Sequence, residues 1–396
     1  MDRDQEEKRR REAIRLYQQG AKVNEICLRL NTSRPWFYKW LKRFQSGVDD
    51  WFCEQSRRPH RVANRTAVER EEEVIRIRQR LEKAKYSQRG AMAIQWEMEK
   101  LNLEALPTWT IDRILKRHNL VRVKRKYQPS GKQYPDLKRI FSDSIQQADL
   151  VGPRYIHKDG HFYSLNVIDL ESYLAAINPC RSKADLQVAE SLLRSWKTIG
   201  KPDFLQMDNE LSFRGSNRHP HSLGLVIRMC LALGIQPIFI PNGEPWRNGA
   251  VEKLQDVFDK VFFRRQYFED YRELQKEARL FERFRNENHR CSAIGGQVPV
   301  EFVKEQNITL NRLPKTLSLK QIELSLADGY LHLIRFVRSD RRLDIFGEKF
   351  PVPRSAQYEY VIATICTKTQ SLQMKLGQEI LRSFQYRMPI QYARKC

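Results

Sequence analysis

QADLVGPRYI at residues 147–156 is the first of three apolar runs that follow one another closely, with FYSLNVIDL at 162–170 and YLAAINP at 173–179. Gly160 and the pair Glu171-Ser172 separate these runs. Runs of this length, rich in β-branched and aromatic residues and bounded by turn residues, are typical of strands, and such short separations favour antiparallel neighbours. Residues 146–179 therefore predict three consecutive antiparallel strands.

The segments that follow alternate between helix and strand. A helical pattern over 183–198 precedes the strand DFLQMD (203–208), and a second helical pattern over 226–233 precedes the strand IQPIFIP (235–241). The order β-β-β-α-β-α-β is that of a ribonuclease-H-like α/β fold with a mixed sheet. We expect this core to occupy residues 144–305, including a long helical stretch from Asn248 to about residue 290.

Residues beyond 310 are again rich in strands. Five runs, YLHLIRFVR (330–338), RRLDIFGEKFPVP (341–353), YEYVIATIC (358–366), SLQMKLG (371–377) and ILRSFQYRM (380–388), are separated by turn residues. About five short strands are enough to close a small barrel. We therefore expect a C-terminal small β-barrel over 310–390, suited by its basic residues to DNA or to a protein partner, and a multidomain α+β chain.

The N-terminal 48 residues have the pattern of a helix-turn-helix domain. Helical patterns cover 6–19, 23–30 and 34–45, and Ser33 and Pro35 are favourable at the start of the third helix. Aromatic residues of that helix would form the core and leave basic residues outside, as a recognition helix needs; these are Arg34, Lys39, Lys42 and Arg43. A plain three-helix bundle with a solvated basic face is the alternative.

A second helical domain is expected over 66–127, after a linker at 49–65. Its helical patterns cover 66–85, 92–101 and a third helix that begins at Thr108 or Thr110 and ends near Leu120. We interpret it as a second helix-turn-helix, possibly winged, that would contact DNA through Lys116 and a basic run. That run consists of Arg122, Lys124, Arg125 and Lys126, and a basic connector at 128–143 follows it. The alternative is that the run is a solvated linker.

The composition favours a polyanionic partner. Among 396 residues, Lys and Arg total 71 against 48 Asp and Glu, which gives a formal charge of +23. Neutralised phosphates release counterions, so such an excess suits nucleic acid, although ribosomal and membrane-surface proteins are also basic. No signal peptide and no run of about 18 apolar residues is present, which predicts an intracellular protein without a membrane partner. The seven scattered cysteines predict reduced thiols and no zinc domain.

Three acidic residues are candidates for chemistry. Asp149 lies inside the first predicted strand, Asp208 ends the fourth, and Glu252 lies on the helix after the fifth. A carboxylate within an apolar strand needs a cation or a donor, and converging carboxylates repel one another. Two Mg²⁺ or Mn²⁺ ions would satisfy them, with Asp149 bridging the ions, and such a pair can support phosphoryl transfer. Any one of these residues alone is more simply structural.

The surrounding motifs resemble the retroviral-integrase-core family of DDE transposases, of the insertion-sequence type. The matching segments are QADLVGP, YSLNVIDLESYLAAI, LQMDNELSF, PNGEPWRNGAVEKLQ and FRNENHRCSAIGGQVPVEF. The resemblance implies that Asp149, Asp208 and Glu252 are the catalytic, metal-binding residues. The chain departs from the family where Glu210 replaces a frequent glycine after Asp208-Asn209, and Glu210 and Glu244 are both acidic residues that could be mistaken for the third ligand.

What this resemblance implies is metal-dependent cleavage at transposon ends, followed by transfer of the 3′-hydroxyl into target DNA. Its partners would be double-stranded DNA with terminal inverted repeats, target DNA, further copies of the chain and possibly an accessory ATPase. The protein would be cytoplasmic and associated with the nucleoid. Within the loop at 242–248, we expect Trp246, Arg247 and Asn248 to contact DNA; Arg214, Arg218, His219 and His221 could either line the DNA path or be ordinary surface residues.

Two other functions remain open from the sequence. A catalytically silent DNA-binding regulator derived from a transposase would need no intact carboxylates, yet all three are present. A nuclease or ribonuclease H would hydrolyse without strand transfer, and two helix-turn-helix domains argue against it.

Overall fold

The computed structural model describes residues 3–54, 65–121, 132–141, 143–216 and 221–389. The chain forms two compact units, one ending at Val68 and one beginning at Glu69. Within the described residues, no helix combines the length and the apolar content that crossing a bilayer requires.

The α-helices are α1 (Arg3–Gln18), α2 (Val23–Arg29), α3 (Arg34–Gln45), α4 (Val68–Lys83), α5 (Ala91–Lys100), α6 (Thr108–Arg117), α7 (Leu137–Ile140), α8 (Asp185–Ile199), α9 (Leu211–Arg214), α10 (Leu225–Ala232), α11 (Gly249–Val257), α12 (Tyr271–Asn288) and α13 (Pro299–Glu305). The strands are β1 (Ile145–Ile156), β2 (Gly160–Asp169), β3 (Ala175–Cys180), β4 (Phe204–Met207), β5 (Gln236–Phe239), β6 (Tyr330–Phe336), β7 (Arg342–Ile345), β8 (Glu348–Pro351), β9 (Tyr360–Cys366), β10 (Ser371–Leu376) and β11 (Glu379–Gln385).

The first unit is a three-helix domain with an aromatic core. Ser33 caps α3, since its hydroxyl accepts a hydrogen bond from the Trp36 amide at 3.3 Å. Phe37 and Trp40 are buried, and the guanidinium of Arg10 lies 4.0 Å from the Trp40 ring centre. Helix, turn and helix therefore form as the sequence predicted.

Helices α4 to α6 pack around a second apolar core, which is formed by Val74, Ile77, Leu81, Ile94, Met98, Ile111, Ile114 and Leu115. The predicted wing and its basic residues Arg122, Lys124, Arg125 and Lys126 lie outside the described residues. Tyr86, just after α4, joins this bundle to α12: its hydroxyl donates to Glu277 at 2.5 Å and its carbonyl is 2.6 Å from the His289 ring nitrogen.

A mixed sheet forms the centre of the second unit. β1 pairs antiparallel with β2, and β2 with β3, whereas β4 pairs parallel with both β1 and β5. The resulting order is 3-2-1-4-5, with α8 connecting β3 to β4 and α10 connecting β4 to β5. This is the ribonuclease-H-like arrangement that the sequence predicted. The apolar faces of α8 and α10 pack on one side of the sheet, and α11 and α12 contribute to a second core on the other.

The strand pairing of the described C-terminal residues does not show the expected closed barrel. β6 pairs parallel with β5, and β9, β10 and β11 add to it, so that one sheet has nine strands. β7 and β8 form a separate hairpin, and Phe350 of that hairpin contacts Phe384 of β11. The physical reason lies in β6, where residues 331–335 are buried without alternation. A strand buried on both faces suits the interior of a sheet rather than the wall of a small barrel.

The predicted long helix after Asn248 is interrupted. α11 passes into a π-helical turn, Phe258–Phe262, and a 3₁₀ turn, Phe263–Arg265, before α12 begins. Asp270 begins α12 as its N-cap, because its carboxylate accepts the Glu273 amide at 2.8 Å. The interruption allows α12 to pack along β3, separately from α11.

Candidate active site

Asp149 lies in the middle of β1, opposite Asn166 of β2. Its carboxylate accepts hydrogen bonds from the Gln255 side-chain amide at 2.7 Å and from the Leu150 backbone at 2.9 Å. Burial raises the pKa of Asp149, these two hydrogen bonds lower it, and the negative charge of Glu210 raises it further. Asp149 is therefore a largely buried carboxylate whose hydrogen-bond donors are both neutral.

Asp208 directly follows β4, the parallel neighbour of β1, so it lies at the adjacent carboxyl end of the sheet. Its Oδ1 accepts the backbone N–H of Glu210 at 3.0 Å. Burial raises the pKa of Asp208 to about 6, and the charges of Asp149 and Glu210 contribute in the same direction. The two aspartates are close enough to repel each other.

Glu252 lies in the first turn of α11. Burial and the charge of Asp149 both raise the pKa of its carboxyl group. The α11 helix is placed by two buried glutamines: Gln147 accepts the amides of Ala250 and Val251 at 3.0 and 3.2 Å, and Gln206 donates to the Arg247 carbonyl at 2.9 Å. β1 and β4 thus fix the helix that carries Glu252.

Asp149 is electrostatically coupled to two other carboxylates, Asp208 and Glu252. The charge of Asp149 raises the pKa of both Asp208 and Glu252. Among the described residues, no three His, Cys, Asp or Glu side chains stand close enough together to hold one ion. The donor chemistry fits hard divalent cations, since each pair consists of mutually repelling carboxylates.

The other acidic residues nearby have partners elsewhere. Glu210 pairs with Lys183 at 2.5 Å, and Glu244 pairs with Arg247 at 2.9 Å. Asp169 accepts the amide of Ser172 at 2.7 Å and shapes the turn after β2. Glu210 nevertheless lies close to the site, because its charge acts on both aspartates.

Two residues of the 242–248 loop, expected at DNA, are instead turned inward. The Asn248 side chain is 2% exposed and accepts from Gln206 at 2.8 Å, so it anchors the start of α11. Arg247 donates to Glu244 and to the Tyr360 hydroxyl, both at 2.9 Å, and lies 4.2 Å from the Tyr134 ring centre. Trp246, by contrast, is 57% exposed. Only Trp246 of the three presents its side chain freely to solvent.

The basic residues expected on α3 divide into two groups. Lys42, Lys39 and Arg34 are exposed, although Lys39 lies 3.6 Å from Glu54 and Arg34 donates to Asn24 at 2.6 Å. Arg43 is half-buried and donates to the Cys53 carbonyl at 3.1 Å, which corrects its expected position on the outer face. Tyr38 shares the exposed face with Lys42 and was not anticipated.

On α6, Lys116 is exposed as expected. Trp109 is also exposed at the start of this helix, and the Arg113 guanidinium lies 5.0 Å from its ring centre.

His221 and Arg214, undecided from the sequence, make internal contacts: His221 is 2.6 Å from Glu348, and Arg214 donates to the Asn209 carbonyl at 2.9 Å. Arg218 and His219 lie outside the described residues.

Sequence patterns did not reveal Gln147, Gln206 and Gln255. The signal that could have revealed the first two is a glutamine within a buried apolar strand, because its amide must find partners there. Gln255 carries no such signal, since only the packing of α11 against β1 places it beside Asp149.

A family model described as a homeodomain-like domain matches residues 4–52. The N-terminal domain is homeodomain-like. A comparison with curated proteins found no match.

The matching solved structures include retroviral integrases, the kind of protein that the sequence motifs resemble. The HTLV-2 integrase catalytic core domain in complex with magnesium is 15% identical, covers 40% of this chain and 94% of its own, and has a TM-score of 0.30. The BIV integrase catalytic core domain is 20% identical, covers 41% of this chain and 95% of its own, and has a TM-score of 0.31. A simian T-cell lymphotropic virus intasome in complex with a PP2A regulatory subunit is 14% identical, covers 74% of this chain and 95% of its own, and has a TM-score of 0.37.

Proposed function

We propose that the chain is a DNA transposase or integrase that cuts DNA at the ends of a mobile element and joins those ends to target DNA. The observation that carries this proposal is that Asp149 lies within β1, Asp208 follows the parallel neighbour β4, and Glu252 lies in the first turn of α11, the helix whose Gln255 donates to Asp149. Burial and neighbouring charge raise the pKa of all three carboxyl groups, as is common at functional sites.

The proposed site residues are Asp149, Asp208 and Glu252, which would hold two Mg²⁺ or Mn²⁺ ions, with Asp149 shared. When bound, such ions supply charge stabilisation for phosphoryl transfer. The protein's own side chains and backbone would position these carboxylates. Gln147 and Gln206 hold α11 and thereby Glu252, and the Glu210 amide orients Asp208.

In the first step, water attacks the phosphorus at an element end, the bond to the 3′-oxygen breaks, and a free 3′-hydroxyl forms. In the second, that hydroxyl attacks a target phosphodiester and displaces the target's own 3′-oxygen. One phosphodiester bond forms as one breaks, so joining needs no external energy source. No covalent bond to the protein is required.

DNA recognition is assigned to the helical domains. The exposed face of α3, with Arg34, Tyr38, Lys39 and Lys42, is the proposed reader of a site in the element's inverted repeats. Lys116 and the basic run after α6, Arg122, Lys124, Arg125 and Lys126, would contact the backbone, and Trp246 would stack on an unpaired base. Simultaneous binding of two ends implies more than one copy of the chain. An accessory ATPase remains a possible partner.

The test uses a labelled duplex that carries the inverted repeat flanking the coding sequence, mixed with plasmid and Mg²⁺ or Mn²⁺. We expect joined product from the wild type and loss of joining by at least about 10²-fold in Glu252→Gln. The matched control is Glu301→Gln, a change in the first turn of another helix, α13, where the glutamate is exposed. Glu301→Gln should join as the wild type does.

Glu210→Gln decides whether Glu252 or Glu210 is the third ligand. A loss of joining in Glu210→Gln with normal joining in Glu252→Gln would overturn the assignment of Glu252. If the wild type binds the duplex and neither cuts nor joins it, the chain is a silent regulator and the proposed activity is wrong.

A further inference from the structure

Arg335 is a buried arginine that has no direct role in the proposed activity of the three carboxylates. It lies on β6, beyond the five core strands, and is 5% exposed. Its hydrogen bonds go to neutral oxygens: the Asn209 side chain at 2.8 Å, the Ile240 carbonyl at 3.0 Å and the Asp344 carbonyl at 3.0 Å. Burial lowers the pKa of Arg335 to about 10, and the charge of Asp344 acts in the opposite direction without forming an ion pair among the described contacts. A buried cation with neutral partners is costly, so a purely packing role would be better filled by an apolar side chain.

The contact with Asn209 places Arg335 one residue from Asp208. The Asn209 side chain is held at both ends, because its oxygen accepts from Arg335 and its nitrogen donates to the Ile240 carbonyl at 2.7 Å. Ile240 in turn donates its amide to the Met207 carbonyl at 3.0 Å. The turn that carries Asp208 is thus fastened to the ends of β5 and β6.

The neighbouring strand fastens the other active-site segment. Tyr360 of β9, paired with Phe336 of β6, donates its hydroxyl to Glu244 at 2.8 Å and accepts from Arg247 at 2.9 Å. Glu244 and Arg247 belong to the segment that leads into α11 and Glu252. The C-terminal strands therefore contact both segments that bring carboxylates to Asp149.

We propose that Arg335 is a positioning residue for Asp208: by holding Asn209, it keeps the Asp208 carboxylate facing Asp149, so that divalent-cation binding depends on the C-terminal strands. This inference rests on the proposed function of the carboxylates as metal ligands. It assigns the C-terminal region a part in the active site itself, in addition to any contact with DNA.

The test is calorimetric titration of the full chain with Mn²⁺ in the absence of DNA. Arg335→Met keeps an unbranched apolar side chain at this position but removes its hydrogen bonds. We expect its dissociation constant for Mn²⁺ to rise by about 10- to 100-fold, as is typical when a residue that orients a metal ligand is lost. Asn209→Ala removes the same contact from its other end and should give a rise of similar size, including if Arg335→Met folds poorly.

The matched control is Arg285→Met. Arg285 is also 5% exposed and donates to neutral oxygens, those of Tyr173 and Asn286, but it lies on α12, which packs along β3, and β3 is three strands away from β4 in the sheet order. Its loss should lower thermal stability without changing Mn²⁺ affinity. The double variant Arg335→Met/Asn209→Ala should bind Mn²⁺ no more weakly than the weaker single variant, because both changes remove one contact.

The outcomes separate the two proposals. If the wild type binds no Mn²⁺, the proposed metal site is wrong and the role of Arg335 falls with it. If the wild type binds Mn²⁺ and both Arg335→Met and Asn209→Ala bind it equally well, the positioning role alone is overturned. An equal loss of affinity in Arg285→Met would also overturn it, because the effect would then reflect general destabilisation.

Discussion

Replacing Asp208 by asparagine should stabilise the metal-free protein at neutral pH. Burial and the charges of Asp149 and Glu210 raise the pKa of Asp208 from 3.8 to about 6. The folded state therefore binds the proton more tightly than the unfolded state. The stability that this proton contributes is complete below pH 3.8 and is lost as the pH rises through about 6. Asparagine stays neutral at every pH and avoids that loss.

The magnitude follows from the difference between the two pKa values. About 2 pH units correspond to about 3 kcal/mol, an order-of-magnitude figure that applies fully only above about pH 7. Asparagine also keeps an oxygen that can accept the Glu210 amide, so no hydrogen bond is lost. For a compact unit as large as the second one, a change of about 1 kcal/mol in the free energy of unfolding changes the melting temperature by about 2 °C. The expected rise in melting temperature is therefore about 6 °C.

The assay is thermal unfolding of wild type and Asp208→Asn in EDTA between pH 4 and pH 8. The difference in melting temperature should be small at pH 4, grow through pH 5 and 6, and level off above. Asp143→Asn is the control, because Asp143 is an exposed carboxylate close to the start of β1, and it should show no such trend. A melting temperature of Asp208→Asn that equals or falls below that of the wild type at pH 8 would refute the reasoning.

Three further outcomes are expected. Lys42→Ala on the exposed face of α3 should weaken binding to all DNA duplexes similarly, measured by fluorescence anisotropy. The slope of log binding constant against log salt concentration should fall in magnitude by about 1; an unchanged slope would show that Lys42 does not contact the DNA backbone. Gly224→Ala should lower the melting temperature, because its added Cβ would lie 2.7 Å from the Gly215 backbone nitrogen. We expect the free energy of unfolding to fall by about 1 to 3 kcal/mol; an unchanged value would mean that the backbone can move to accommodate the Cβ. Gln206→Leu should reduce joining at least about tenfold, because Asn248 and α11 lose their anchor; normal joining would show that β4 does not position the helix.

The central sheet could be predicted from local patterns. The runs at 147–156, 162–170 and 173–179 carry strand composition and turn boundaries within a few residues, and the observed strands overlap all of them. Asp149 and Asp208 could likewise be selected, because a carboxylate beside buried apolar residues is conspicuous in sequence alone. Local patterning was sufficient where the decisive interactions are local.

The structure does not show the closed C-terminal barrel, and the pairing of β6 with β5 could not be predicted for the opposite reason. Ile238 of β5 pairs with His332 of β6, which is distant along the chain. A local sequence pattern does not indicate which strand will pair with the edge of a sheet. Arg247 and Asn248 were placed at DNA because of their type and their loop, whereas their partners Tyr360 and Gln206 are distant in sequence. Polar residues in loops can be satisfied internally, and only the folded chain shows which of them are.

The proposed metal site is tested most directly by a crystal structure of the protein grown with Mn²⁺, in which the metal is located by its anomalous scattering. We expect manganese within about 2 to 2.5 Å of an Asp149 carboxylate oxygen, with Asp208 or Glu252 completing the site. Manganese bound elsewhere, with no density between these carboxylates, would contradict the claim that the three residues form a metal-dependent active site.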